Sequence, residues 1–189
     1  EMCIRDRGAV NPLGVDMIAA FNAVNRIDDY AFTPEQSISH GITTFVAQNR
    51  GAGRKERIRK GFRRGLMLEA CYWVFICITI TLFRRPLMGL FVTAGNEGIV
   101  ALGSSYLGLM ALFYVFPAFT NGIQGFFRGM GNMSVTLLGT FVQTSLRVVF
   151  VYLLTSGIGL LGVAYACAIG WSVMLLVEVP YYFWFMKDK

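Results

Sequence analysis

GAGRKERIRKGFRRGLMLEACYWVFICITITLF (residues 51–83) joins a dense basic loop to a long apolar run. Arg54, Lys55, Arg57, Arg59, Lys60, Arg63 and Arg64 fall within eleven positions, with apolar stretches on either side. Short loops rich in Lys and Arg stay on the cytoplasmic side of a membrane during insertion. The stretch therefore reads as a cytoplasmic loop pinned between two spanning helices, and it orients everything around it.

Composition points the same way. Of 189 residues, 55% are hydrophobic and 15% charged, with a mean hydropathy of +0.55; a soluble domain has about 45–50% apolar and about 25% charged residues. Residues 98–127 and 148–177 contain no charged side chain. Each stretch exceeds the roughly 20 residues that a bilayer core demands of a helix. The net charge of +6 does not indicate nucleic acid, because most of it sits in one loop without interleaved stacking aromatics. Cys3, Cys71, Cys77 and Cys167 match no zinc or redox spacing, and His40 stands alone. Nothing pairs a nucleophile with a base or sets two catalytic carboxylates together, so no enzyme, cofactor or metal centre is expected. EMCIRDR (1–7) is too polar for a signal peptide.

Outward from the loop, breakers divide the chain. GAVNPLG (8–14) reads as a helix end and a turn. Helices are expected over about 15–49, 58–83, 96–128, 134–155 and 163–186, the first and third being longest. GAG (51–53), RRP (84–86), GMGN (129–132) and SGIGLLG (156–162) are read as the stops between them. That makes five spans and the stub of a sixth in an all-α bundle without strands. With residues 54–64 inside, alternation places eleven basic residues on the cytoplasmic side, counting Lys187 and Lys189, and only Arg84 and Arg85 outside.

Polar residues inside a membrane face a cavity or a partner. In the first helix Asn22, Arg26, Asp29, Thr33, Gln36, His40 and Thr44 recur at spacings of three and four, which puts them on one face. Counted back from Asn49, Asp29 lies roughly 30 Å up, Glu35 roughly 21 Å and His40 roughly 14 Å. Tyr114, Pro117, Asn121 and Gln124 share a face of the third helix. Thr136, Thr140, Gln143 and Arg147 share one of the fourth, and Glu178 lies within the fifth. One polar stripe per helix points to a hydrated central cavity whose candidate lining is Arg26, Asp29, Glu35, Gln36, His40, Tyr114, Asn121, Gln124, Gln143, Arg147 and Glu178. Glue between helices is the competing reading for each Asn, Gln and Thr. Arg26 with Asp29, and Arg147 with Glu178, are read equally as structural ion pairs. Pro34, Pro117 and Pro180 lie inside helices, as packing kinks or as breaks along a substrate path. Gly125 and Gly129 form a G-x-x-x-G pair read as a close helix approach or a C-cap.

IAAFNAVNRID (18–28), GITTFVAQNRGAGRKERIRKG (41–61) and GFFRGMGN (125–132), followed by SLRVVFVYLL (145–154) and GLLGVAYACAIGW (159–171), resemble the second half of multidrug and toxic compound extrusion (MATE) proteins. The resemblance covers about residues 8–186. It implies one six-helix lobe of a twelve-helix inner-membrane transporter, running from the end of helix 7 through helix 12, with a second, N-terminal lobe as its partner. It implies exchange of H+ or Na+ for cationic drugs or other organic compounds. Residues 1–7 look foreign to that pattern. NorM-like members carry a carboxylate in helix 10 beside a tyrosine; by the resemblance those positions hold Pro117 and Phe113, so their sodium site is not carried over. A lobe alone is expected to be inactive. The alternatives are a lipid-linked precursor flippase of the same superfamily and a non-transporting membrane scaffold subunit.

The orientation is testable by labelling in intact cells, with the native cysteines replaced. Ser156→Cys should react with an impermeant thiol reagent and Lys55→Cys should not. Reaction at residue 55 with none at 156 contradicts the orientation.

Overall fold

The computed structural model describes residues 14–92 and 97–187, and in these every regular element is helical. Readings that fall on residues 1–13, 93–96 and 188–189, including the foreign start and the helix 7 stub, lie outside the described residues. The helices are α1 (Val15–Gly51), α2 (Lys55–Phe91), α3 (Glu97–Phe113), α4 (Val115–Gly129), α5 (Met133–Ile158) and α6 (Leu160–Lys187).

Two expected stops and one expected helix behave differently. RRP does not end α2, which runs through Pro86 to Phe91. A proline removes only one backbone hydrogen bond, and the helix continues past it. SGIGLLG is almost entirely helical, and the break narrows to Gly159, whose φ of 61° suits glycine. The third expected helix is two: α3 and α4 meet at Tyr114 with a bend of 41°. Pro117 falls in the first turn of α4, where N–H groups have no helical partner, so restarting the helix there accommodates the proline. The longest helices are accordingly the first and second, at 37 residues each.

α2, α5 and α6 are long and apolar enough to cross a bilayer, and α3 with α4 qualifies as one broken span. Among the described residues that makes three spans by length and composition, or four with the bent pair, against the five read from the sequence. α1 has the length but not the apolarity, because its polar residues interrupt it. Only 11% of the apolar windows of α2 and of α5 is buried within the protein. Met67, Phe75 and Leu82 of α2, and Leu138, Phe141 and Leu153 of α5, point outward. An apolar surface of that extent is a lipid-facing one.

α1 sits inside, against α2, α3 and α4, while α5 pairs with α6 and α6 packs on α4. The interior has three tiers. One apolar cluster gathers Phe21, Val24, Met88, Tyr106, Leu107 and Leu160. A second, beside the basic loop, gathers Ile42, Val46, Phe62, Ile123, Phe126 and Phe127. Between them lies a buried polar tier of Glu35, Ser39, Glu69, Thr120, Gln124, Gln143 and Glu178. The close approach read from the G-x-x-x-G pair is present: a Cβ on Gly125 would lie 2.6 Å from the Ser39 carbonyl oxygen, and one on Gly129 2.6 Å from that of Thr43. Backbone on the far side cannot move aside as a side chain would. Gly125→Leu should therefore lower thermal stability in detergent by about 1–3 kcal/mol, the usual cost of overpacking, while the same change at exposed Gly89 leaves the melting temperature within error. Equal effects at both positions would contradict the seam.

Candidate polar site

α1 carries polar residues on two faces. Asp28, Glu35, Ser39 and Asn49 are buried, whereas Arg26, Asp29, Thr33, Gln36, His40 and Thr44 are exposed. The expected inward stripe is thus the outward one, displaced by a single residue. Side-chain periodicity defines a face but not what it meets, and successive residues stand about 100° apart. Asp29 and His40 accordingly do not share the interior of Asn121 and Gln124, as the stripe had implied. Among the described residues Arg26 and Asp29 form no ion pair, and both are exposed.

The buried face is organised by α4. Asn121 Nδ2 donates to Glu35 Oε1 at 3.1 Å. Ser39 Oγ donates to the Asn121 carbonyl, and Arg128 Nη2 donates to Ser39 Oγ at 2.8 Å. The helix break itself is held by a hydrogen bond from the Tyr114 hydroxyl to Asp28 Oδ1. Arg147 of α5 is the cation whose charge acts on Asp28. On the other side of α4, Gln124 Nε2 donates to Glu178 Oε1 at 3.2 Å, and the charge acting on Glu178 is that of Arg128.

Gln36 bridges the two faces of α1. It is exposed, yet together with Thr120, Asn121, Gln124, Thr140 and Gln143 it lines a cavity of about 280 Å³ whose other walls are Phe32, Pro117, Trp171 and Met174. Four helices contribute to this cavity, which opens just beyond the break at Tyr114. Its amide and hydroxyl groups can donate and accept, and Phe32 and Trp171 offer aromatic faces. Of the expected candidates, Gln36, Asn121, Gln124 and Gln143 come together here. Glu35, Tyr114 and Glu178 are buried behind the wall with partners of their own, and Arg147 is half-buried beside them.

Sequence reasoning missed Asp28, Ser39, Glu69 and Arg128. Glu69 had a signal: it is the one charge between Leu66 and Phe83, and a charge within an apolar run is functional by default. Asp28 was passed over because neighbouring Asp29 fitted the stripe.

The MatE family matches residues 4–153 of the chain. The chain belongs to the MATE family. A probable multidrug resistance protein NorM of Thermotoga maritima is 30% identical over 152 residues, covering 79% of the chain and 32% of that protein. The probable multidrug resistance protein YoeA of Bacillus subtilis is 25% identical over 185 residues, 95% of the chain and 39% of the relative. In fold, the chain is similar along its full length to a MATE structure solved in a bent conformation, with a TM-score of 0.90 at 22% identity over 42% of that structure. The chain therefore spans about a third to two-fifths of the length of the proteins it matches.

Proposed function

We propose that this chain forms one wall of a drug and organic-compound efflux antiporter, working against a second lobe of the same protein and driven by H+ or Na+. Its membership of the MATE family supports transport. The exposed polar face of α1, continuous through Gln36 with the cavity at the helix break, carries the rest. Asp29, Thr33, Gln36 and His40 lie on α1, packed against the spanning helices, and face outward, where lipid contact would be costly. Water between two lobes satisfies them. α2 and α5 carry the opposite kind of exposed face, predominantly apolar over their spanning windows, as the lipid side of such a lobe requires.

In this reading the substrate meets Gln36, Asn121, Gln124 and Gln143 and stacks on Phe32 or Trp171, while Arg26, Asp29 and His40 line the approach. No covalent step is involved. The broken α3–α4 pair lends itself to alternating access, since its bend is fixed by one side-chain contact, Tyr114 to Asp28, and transporters commonly break helices beside their sites. The protein resides in the inner membrane with residues 54–64 and the C-terminus cytoplasmic, as the positive-inside rule favours. Cationic compounds are the proposed substrates. One relative, from Shewanella oneidensis, is an FAD transporter, 23% identical over 124 residues, 64% of the chain and 27% of that protein.

Ethidium efflux from exporter-deficient cells tests this, with the chain expressed as part of its two-lobed protein. Gln36→Ala with His40→Ala should lower efflux about five- to tenfold, the equivalent of about 1–1.5 kcal/mol of lost hydrogen bonding, at unchanged membrane expression. Both residues are exposed, so the fold survives their loss. Undiminished efflux from the double variant contradicts the proposed wall.

A further inference from the structure

Glu69 of α2 is fully buried, and among the described residues neither of its carboxylate oxygens has a hydrogen-bond partner. It is not an isolated oddity of packing. α2 leans on α1 and α4, and the Glu69 side chain passes beside Gly122, next to Asn121, with its Cγ 3.7 Å from where a Gly122 Cβ would lie. Asn121 in turn holds Glu35 of α1, which is 3% exposed. The two carboxyls each lie about one turn from a contact between their helices, where Tyr72 Oη donates to the Ala31 carbonyl. They also lie at similar depth: Glu69 is about 21 Å along α2 from Lys55 and Glu35 about 24 Å along α1 from Gly51.

The groups around the pair are these. α2 itself supplies Tyr72, whose hydroxyl is committed to the Ala31 carbonyl. The α3–α4 junction supplies Tyr114, committed to Asp28. α4 supplies Asn121 and, two turns on, Arg128, which is committed to Ser39 and lies within the influence of Glu178. The donor that reaches the pair is thus a neutral amide. Two ionised carboxylates at this depth would repel each other with one amide, on Glu35, to offset them, and an ionised carboxylate without donors is among the costliest groups a membrane interior can hold. A carboxyl that keeps its proton removes the charge, and two carboxylates sharing a site hold one proton far more strongly than either would alone.

We propose that Glu35, held by Asn121, and Glu69 form a proton-binding site inside this lobe that carries one proton at neutral pH. The proton resides on one carboxyl and the other is ionised; release leaves both ionised, and the proton departs to water. The site's use in transport rests on the antiporter reading, whereas proton binding is measurable without any transport.

Infrared difference spectroscopy on the purified chain in lipid nanodiscs tests it. At pH 7 the wild type should show a protonated-carboxyl stretch that disappears as pH is raised. In Glu69→Gln, which imitates the neutral acid in shape, the protein should fold and that component should be lost at pH 7; any bands from other carboxyls are common to the two proteins and cancel. Glu35→Gln should shift the remaining carboxyl's release by at least tenfold in proton concentration. The same wild-type stretch unchanged in both variants overturns the proposal, as does its absence from the wild type, a reading that needs no variant to fold. A stretch that vanishes on adding Na+ at constant pH, but not K+, would make this a sodium site and overturn the proton assignment. None of these outcomes bears on whether the protein exports drugs, and loss of efflux would not bear on them.

Discussion

Two glycines four residues apart bring the backbone of α4 against that of α1, and the rest of the interior follows from that contact. With Gly125 facing the Ser39 carbonyl and Gly129 facing that of Thr43, side chains one turn away need little reach. Asn121 meets Glu35, Arg128 meets Ser39, and Arg50 at the foot of α1 meets the Met130 carbonyl. A bulkier pair would hold the helices apart and leave Glu35 and Ser39 without partners in an apolar setting, where each lost bond is most expensive. The seam therefore sets which polar groups can be buried at all.

While Asp28, Asn49, Ser104 and Thr155 are buried elsewhere, buried carboxyls and amides concentrate at one level of the bundle. The cluster around Phe21, Met88, Tyr106 and Leu160 closes it on one side, and the cluster around Val46, Phe62, Phe126 and Phe127 closes it on the other. Gln124, Gln143 and Glu178 lie in this tier toward α5 and α6; Glu35 and Glu69 lie in it toward α1 and α2. The bend at Tyr114 places the cavity at the same level and lets Pro117 sit where its missing N–H does no harm. Carboxyl chemistry and the polar cavity are thereby adjacent, with Asn121 belonging to both.

Much of this was legible from the residues, and the failures have physical causes. The basic loop and the uncharged runs marked the bundle, because hydropathy is a one-dimensional property of the chain. The helix stops were less legible. Pro86 and the SGIGLLG segment carry break signals, yet one missing N–H and one positive-φ glycine interrupt little of the helical hydrogen bonding, so α2 continues and α5 and α6 are separated by Gly159 alone. The polar stripe of α1 was found, but its direction was not. Periodicity gives an angle around the helix, and only the neighbours decide whether that angle meets protein, water or lipid. Gln36, Asn121, Gln124 and Gln143 were legible as candidates because amides in membrane helices are few; Asp28 and Glu69 were overshadowed, one by its neighbour and the other by its apolar surroundings.

The account turns on α1 dividing its polar residues between a dry interior and a wetted face. Spin labels placed one at a time at Glu35, Gln36, His40 and Phe75, in the two-lobed protein reconstituted in lipid, test this through collision with oxygen, which partitions into lipid, and with a water-soluble nickel chelate. The account predicts that labels at 36 and 40 collide with the chelate, that the label at 75 collides with oxygen, and that the label at 35 is sheltered from both. Strong oxygen collision at 36 and 40, without the chelate, would place that face in lipid and contradict the account.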